Sequence, residues 1–234
     1  MSNPSRVDLD DCPPGRPPIE EIFMRTFFRG AAAFIAVLIT AAPLAAAGNS
    51  IRFARAQPEG TVVTVKGVVS VPSGAFAPND QGFAIQRGRT GIYIHDALGG
   101  SYAIGQEVVV TGTVENSFGQ VLGVQPTDIA VSGSHPVHPA KPIDTGDVGE
   151  GSEGTLVRIG GTVVDEVFDD APYGYRFHVD DGSGEVTVFV YAGTGIDVSG
   201  IALGDDVEIT GFSGQFIDHY EVNPRVPSDI EELP

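Results

Sequence analysis

Short stretches in which apolar and polar residues alternate follow one another from residue 60 to the end of the chain. Such stretches, separated by turns rich in Gly, Asp and Pro, are typical of antiparallel β-strands. The pattern predicts ten strands, five in each half of this region: 61–71, 82–86, 92–95, 107–115 and 121–131, then 156–167, 175–180, 185–191, 206–212 and 216–222. No long stretch after residue 48 repeats its apolar residues with a helical period, so the pattern favours an all-β fold.

The predicted strands have one apolar side. Phe83 and Ile85 share a face of the second strand, and Phe177 lies on the equivalent face in the second half of the chain. A period of two predicts that one face packs in a core while the other faces water, as in a small barrel. Gly67 interrupts the first Val-rich strand and predicts a bulge there. Residues 181–184 (DGSG) predict a hairpin turn.

The strand pattern is duplicated. Three segments of the first half recur in the same order in the second: 59–63 (EGTVV) as 153–157 (EGTLV), 104–112 (IGQEVVVTG) as 203–211 (LGDDVEITG), and 126–129 (PTDI) as 227–230 (PSDI). The offsets of 94, 99 and 101 residues grow slowly, as expected of a duplication with small loop insertions. We therefore predict one domain over residues 48–134, a Pro-rich and extended linker over 135–142, and a second domain over 143–234.

These repeated motifs, together with a second strand that begins with phenylalanine, resemble the OB-fold modules of exported bacterial proteins. In that family the modules occur alone or beside secreted nuclease and phosphoesterase domains. The resemblance covers residues 54–131 and 148–232. It implies two five-stranded Greek-key barrels, each with a short helix or loop between its third and fourth strands. That connection is brief in the first copy (97–105) and longer in the second (192–204), so no full helix is expected in the first.

Residues 24–47 have the features of a secretory signal peptide. Arg25 and Arg29 precede an apolar stretch over 31–42, and 45–47 (AAA) form a small-residue cleavage site. The alternative is a transmembrane anchor, but a membrane span needs ~20 apolar residues and this stretch is shorter. We therefore expect an exported protein, periplasmic or extracellular, whose mature form has no membrane span.

The segment before the signal peptide is polar and Pro-rich. Residues 1–23 are either an upstream leader, with Met24 as the true start, or a long N-terminal region of the signal peptide. The single cysteine, Cys12, lies in this segment, and cleavage before Gly48 removes it. The mature domains therefore depend on burial and backbone pairing instead of disulfides.

Charge divides the two predicted domains. Residues 51–134 contain five basic and six acidic side chains, whereas residues 141–234 contain four basic and twenty acidic ones. A net charge of −16 repels a polyanion, and neutralisation of phosphates by cations supplies most nucleic-acid affinity. Any nucleic-acid function is therefore expected in the first barrel.

Motifs of catalysis are absent from the sequence: it has no G-x-S-x-G, H-E-x-x-H or Walker motif, and no mature cysteine. Residues 149–154 match G-x-G-x-x-G, but they lead into a strand and so offer no helix N-terminus to a pyrophosphate. His135 and His138 as zinc ligands, or the acidic turns at 169–170 and 180–181 as calcium ligands, are weaker interpretations than solvated loops. We expect a protein that is not an enzyme and holds neither a cofactor nor a metal.

OB folds bind ligands through strands two and three and the loops that join strands one to two and four to five. In the first barrel the candidate residues are Lys66, Gln86, Arg87, Arg89, Tyr93, His95 and Phe118. Rings for stacking and basic side chains suit a single strand of nucleic acid, although the same residues are compatible with an ordinary polar surface. In the second barrel the outward residues are Arg176, His178, Thr187, Phe189 and Tyr191. Phe189 and Tyr191 fit a sugar or a protein partner, or they lie beneath the connection between strands three and four.

The leading hypothesis is therefore a non-catalytic binding protein whose first barrel takes single-stranded nucleic acid or an oligonucleotide. The alternative is a structural module, or one that binds a protein or an oligosaccharide in the cell envelope. The identity of the ligand and the oligomeric state are not specified by the sequence.

Overall fold

The computed structural model describes residues 50–76, 81–116 and 122–234. The predicted signal peptide, Cys12 and Phe118 lie outside these described residues. Both predicted domains belong to one compact unit. In the part of the chain that is described, no helix has the length and apolar composition needed to cross a bilayer.

The first domain is a closed barrel. Its elements are α1 (Ile51–Arg55), β1 (Val62–Val71), β2 (Phe83–Arg87), β3 (Thr90–Ile94), β4 (Gln106–Asn116) and β5 (Leu122–Ser134). The strands close in the order β1-β2-β3-β5-β4, with β3 and β5 parallel and the other neighbours antiparallel. This five-stranded Greek-key barrel is the OB fold that the repeated motifs predicted.

The second domain repeats the arrangement with three additional short strands. Its strands are β6 (Lys141–Pro142), β7 (Leu156–Val163), β8 (Phe168–Asp170), β9 (Gly174–Asp180), β10 (Val186–Tyr191), β11 (Asp206–Phe216), β12 (His219–Asn223) and β13 (Ile230–Glu232). Strands β7, β9, β10, β12 and β11 close the barrel, with β10 and β12 parallel. Strand β6 pairs with β7, β8 with β9, and β13 with β11. One 3₁₀ turn, Ala192–Thr194, follows β10, and two others lie at Thr145–Asp147 and Pro227–Asp229.

All ten predicted strands are present, although the ends of several differ from the prediction. Strand β7 ends at Val163 because residues 168–170 turn back along β9 as a separate strand, β8. Phe216 ends β11 and does not begin the following strand. The predicted bulge at Gly67 is wrong, because the register of β1 against β2 shifts between Val69 and Val71.

Gly67 has a different role, which is to allow close packing. A Cβ at this position would stand 3.1 Å from the Cβ of Ile85 and 3.2 Å from the Cδ1 of Ile51. Ile51 belongs to α1, a five-residue helix that the sequence pattern did not predict because one turn is too short to show a period. The Ser50 hydroxyl caps this helix by accepting from the Phe53 amide at 3.1 Å.

Each barrel has its own apolar core, and a third apolar cluster lies between them. Its residues are Val71, Ala75, Phe76, Ala84 and Tyr93 of the first barrel and Leu156 and Phe212 of the second. Val137 and Ala140 of the Pro-rich linker pack against this cluster, as does Tyr191. The two barrels therefore share a buried interface, and the linker is part of it.

Candidate ligand-binding faces of the two barrels

The predicted binding face of the first barrel is covered by the second. Gln86, Tyr93 and His95 lie outside the core of their own barrel, yet their exposed fractions are only 3%, 7% and 8%. Phe212 of β11 packs against Tyr93, with the ring centroids 6.3 Å apart. These three side chains are therefore not accessible to a ligand in this arrangement.

Gln86 uses its side-chain amide to join the barrels. Its Oε1 accepts a hydrogen bond from the backbone N–H of Leu156 at 3.1 Å, and its Nε2 donates to the carbonyl oxygen of Gly88 at 2.7 Å. A buried amide is stable only when its polar atoms are paired, and here both the oxygen and the nitrogen have partners. The residue therefore serves the packing of the two domains.

His95 is a buried and uncharged imidazole. Burial lowers its pKa to about 4, because the charged form loses its hydration. Its Nδ1 lies 3.7 Å from Oε1 of Glu115, and its Nε2 has no hydrogen-bond partner among the described residues. Gly123 of β5 leaves the space that the ring occupies, since a Cβ there would overlap Nε2.

The predicted cations of the first barrel differ in their availability. Lys66 is paired with Glu107, with Nζ and Oε2 2.8 Å apart. Arg87 and Arg89 are exposed at the turn between β2 and β3, and neither forms an ion pair with another described residue. Of the described candidates in this barrel, these two arginines remain open to a ligand.

Two other arginines hold the barrels together. Arg55 of α1 pairs with Glu153 at 3.0 Å, and the same carboxylate accepts from the Leu122 amide at 3.2 Å. Arg225 donates to the carbonyl oxygen of Ser70 at 2.8 Å and is oriented by the carboxylate of Asp229. The charges of Arg55 and Arg225 are thus used within the protein.

The second barrel has an exposed face whose side chains differ from those on the predicted binding face of the first barrel. Phe168, Arg176 and Phe189 are direct neighbours across β8, β9 and β10, so their side chains lie in one row on the outside of the barrel. The guanidinium carbon of Arg176 is 5.2 Å from the centre of the Phe168 ring, which is a cation–π contact. Phe177 and Val179 lie on the opposite face of β9 and pack in the core.

The first barrel closes one end of this face. Phe189 and Tyr191 have ring centroids 4.7 Å apart, and Tyr191 stacks on Phe76 of the first barrel at 4.9 Å. The interpretation that these two rings lie beneath the connection after β10 is therefore wrong for Tyr191, because its cover comes from the other barrel. Ile196 and Val198 of that connection pack instead into the barrel core.

A buried carboxylate lies beside Tyr191. Glu221 of β12 accepts hydrogen bonds from Asn223 Nδ2 at 3.0 Å and from the Tyr191 hydroxyl at 3.4 Å. Burial raises the pKa of Glu221, and burial and the Glu221 charge together raise the pKa of Tyr191. These groups satisfy one another inside the interface, so they belong to the structure of the face and not to its open part.

The open part of the face is the hairpin formed by β8 and β9. Phe168 is 54% exposed and Tyr173, at the tip, is 68% exposed. Tyr175 is also accessible, but it lies on the opposite face of β9 from Arg176. His178 is held by Asp165, whose Oδ2 lies 2.7 Å from Nδ1 and whose Oδ1 accepts from the His178 amide. The hairpin thus presents accessible rings among carboxylates, a set that can stack on a ring or on a cation.

No group of three or more His, Cys, Asp or Glu side chains is placed to hold a metal among the described residues. A depression of about 340 Å³ lies beside β6 and β7, and its lining includes Arg158, Asp181 and Glu208. Arg158 pairs with Glu208 at 3.2 Å, and Asp181 accepts from the Thr145 hydroxyl at 2.8 Å. Arg158, Asp181 and Glu208 are therefore already engaged in contacts within the protein.

Three aromatic residues of these faces were missed by sequence reasoning: Phe76, Phe168 and Phe212. For the interface a signal existed, because apolar residues occupy both faces of β1 and β2 where Val71 and Ala84 lie. A strand that is apolar on both faces is typical of burial on both sides. Phe168 lies in an acidic segment for which the sequence predicts a turn, so strand β8 was not expected.

No family model matches the chain, and no curated protein matches it. Among solved structures, the chain is similar to an OBody (AM1L10) bound to hen egg-white lysozyme, with 24% identity over 42% of this chain and 97% of that one and a TM-score of 0.34. A murine DNA-binding protein bound with double-stranded DNA is 12% identical over 76% of this chain and 97% of that one, with a TM-score of 0.38. The S. pombe Stn1-Ten1 complex is 22% identical over 33% of this chain and 57% of that one, with a TM-score of 0.28. Each is a likeness of fold alone and indicates no ligand for this chain.

Proposed function

We propose that the chain is an exported, non-catalytic binding protein whose ligand site is the open half of the second barrel's face, on β8, β9 and β10. The observation that carries the proposal is the exposure of Phe168, which lies in one row with Arg176 and Phe189, and of Tyr173 at the tip of the same hairpin. Accessible aromatic side chains are costly to leave in water, and those on one hairpin can mark a binding surface. They lie on the strands and the first loop through which OB folds bind their ligands.

The charge of this barrel narrows the class of ligand. Residues 141–234 have a net charge of −16, so a phosphate-rich polymer is repelled along its whole approach. A neutral oligosaccharide or a protein segment avoids this repulsion. The second barrel therefore favours the protein-or-oligosaccharide alternative over nucleic acid.

Export and the absence of catalysis remain parts of the proposal. Cleavage before Gly48 would leave in the mature protein Ser50, which caps α1, and Ile51 and Ala54, which pack in the core of the first barrel. The predicted cleavage site is therefore compatible with an intact first barrel.

Titration of isotope-labelled mature protein (48–234) by NMR tests the location of the site. Maltohexaose, a basic peptide and a single-stranded oligo(dT) serve as probes of the three ligand classes. A productive ligand should shift the amide signals of residues 168–178 and of Phe189, and leave those of Gln86 and Tyr93 unchanged. Shifts confined to the first barrel, or none with any probe, would refute the proposal.

Nucleic acid binding by the first barrel is a second candidate, carried by Arg87 and Arg89, which are exposed and form no ion pair with a residue that the structure describes. Such binding would consist of contacts with phosphates alone, since Tyr93 is covered and no base can stack on it in this arrangement. Retention of the mature protein on immobilised oligo(dT) at low salt tests it. Replacement of both arginines by Glu should abolish retention, whereas retention that survives this change would exclude the turn as the contact.

A further inference from the structure

The β8–β9 hairpin carries an excess of negative charge that the protein does not neutralise. Residues 164–180 contain five carboxylates, Asp165, Glu166, Asp169, Asp170 and Asp180, and a single arginine. None of the five forms an ion pair with a Lys or Arg among the described residues. Such a cluster raises the local concentration of a cationic partner and speeds its encounter.

The exposed rings of the same hairpin suit a cationic partner as well. Arg176 already places its guanidinium 5.2 Å above the Phe168 ring, so this surface holds a cation on an aromatic face within the chain itself. The ring of Tyr173, at the tip of the hairpin, is exposed as well. Contacts between a cation and an aromatic ring strengthen when they are partly desolvated.

Strand β8 also offers backbone groups to a partner. It pairs with β9 on one side, and in the described part of the chain no strand pairs with its other side. An unpaired strand edge can accept an extended peptide as an additional strand, with alternate side chains facing the sheet. An oligosaccharide has no peptide backbone and cannot extend the sheet as an additional strand.

We propose that the ligand of the second barrel is an extended, cationic segment of a partner protein, docked along β8 with its basic side chains among the hairpin carboxylates and on the Phe168 and Tyr173 rings. The proposal rests on the function proposed above and specifies its ligand. Asp169 and Asp170 supply charge, Phe168 supplies the ring, and the free edge of β8 sets the extended conformation.

Fluorescence anisotropy with mature protein (48–234) and a labelled peptide of about ten residues, alternating Lys and Val, tests the proposal. The Lys–Val peptide should bind, and its Kd should rise about tenfold or more from low to physiological salt. The paired change Asp169→Asn and Asp170→Asn should raise Kd about tenfold. Asn keeps the side-chain oxygen that accepts from the Ala171 amide, so the turn is preserved.

Two matched controls distinguish binding at the hairpin from nonspecific electrostatic attraction to the protein. Glu231→Gln with Glu232→Gln removes the same charge from β13, on the other side of β11, and should leave Kd within about twofold. Phe168→Ala should weaken binding, whereas Phe53→Ala, which truncates a similarly exposed ring on α1, should not. Equal effects of the two charge pairs would overturn the proposal.

Other probes distinguish failure of this inference from failure of the proposed function. If maltohexaose binds without salt dependence and Phe168→Ala abolishes its binding, the site stands and the cationic-peptide ligand is wrong. If Phe168→Ala alters the binding of no probe, the site on the second barrel is wrong as well. Binding of a Glu–Val peptide as tightly as the Lys–Val peptide would also overturn the inference.

Discussion

The carbonyl oxygen of Gly154 occupies the space where a Cβ of residue 91 would stand. Gly91 lies in β3 of the first barrel, and Gly154 is separated from β7 of the second by Thr155 alone. In the other direction, a Cβ on Gly154 would lie 2.7 Å from the carbonyl oxygen of Gly91. The backbones of the two barrels therefore meet without side chains between them, and Arg55 and Glu153 form an ion pair beside this contact.

Gly91→Ala should destabilise the mature protein by about 1–3 kcal/mol, because the added methyl group forces two backbones apart in a packed interface. Urea unfolding of the variant and the unmodified protein measures the difference. Gly151→Ala is the matched control, since a Cβ there meets nothing within 4 Å and its φ is not positive. The control should change stability by no more than about 0.5 kcal/mol. Equal stability of the Gly91 variant would show that the barrels do not pack this way in solution.

The arrangement within each barrel was predictable from the sequence, because period-two alternation identifies a strand and the repeated motifs identify the order of strands. Phe83 and Ile85 were expected in a core and lie in one. The arrangement between the barrels was not predicted. Alternation identifies Gln86 and Tyr93 as outward residues, but it cannot distinguish a surface that meets water from one that meets another domain.

His95 should make the protein less stable as the medium becomes acidic. Its pKa in the folded protein is about 4, below the value of ~6.5 expected for the unfolded chain. Between these two pKa values the unfolded chain binds a proton at this histidine and the folded protein does not. The contribution of His95 to stability is therefore fully present above pH ~6.5 and is lost as the pH falls toward ~4. For an isolated group with these values, the loss is about 2 kcal/mol between pH 7.5 and pH 5.

His95→Gln isolates this contribution, because Gln does not titrate. Urea unfolding near pH 7.5 and near pH 5 should show a smaller loss of stability in the variant, by about 2 kcal/mol. Glu221 acts in the opposite direction: burial raises its pKa, so its contribution is present at low pH and is lost as the pH rises through the raised value. The contribution of Glu221 is the same in both proteins, so it cancels when their losses of stability are compared. An identical pH profile for both proteins would mean that His95 is solvated.

Processing of the N-terminus should leave Gly48 as the first residue. The small residues 45–47 form the predicted cleavage site, and cleavage there keeps Ile51, a core residue of the first barrel, in the mature protein. The mass of the intact protein from the cell envelope or the medium measures the site directly. A protein that retains residues 24–47 would contradict both the cleavage site and the export that depends on it.

Tyr93 is the residue for which the sequence and the structure lead to different experiments. As a stacking platform, its loss would weaken nucleic-acid binding and leave the fold intact. As a buried residue packed on Phe212, its truncation should instead destabilise the whole protein by ~3–5 kcal/mol, in the range of large-to-small changes in a core. Urea unfolding of Tyr93→Ala distinguishes the two.

A double-mutant cycle with Phe212→Ala tests the contact itself. Tyr93 and Phe212 should couple by about 0.5–1.5 kcal/mol, whereas Tyr93 and Phe168, which belong to separate surfaces, should be additive within about 0.5 kcal/mol. If Tyr93→Ala proves neutral and uncoupled from Phe212, the barrels separate in solution and Gln86, Tyr93 and His95 become accessible. The first barrel would then regain the face that nucleic acid requires, and the ligand site would have to be sought there.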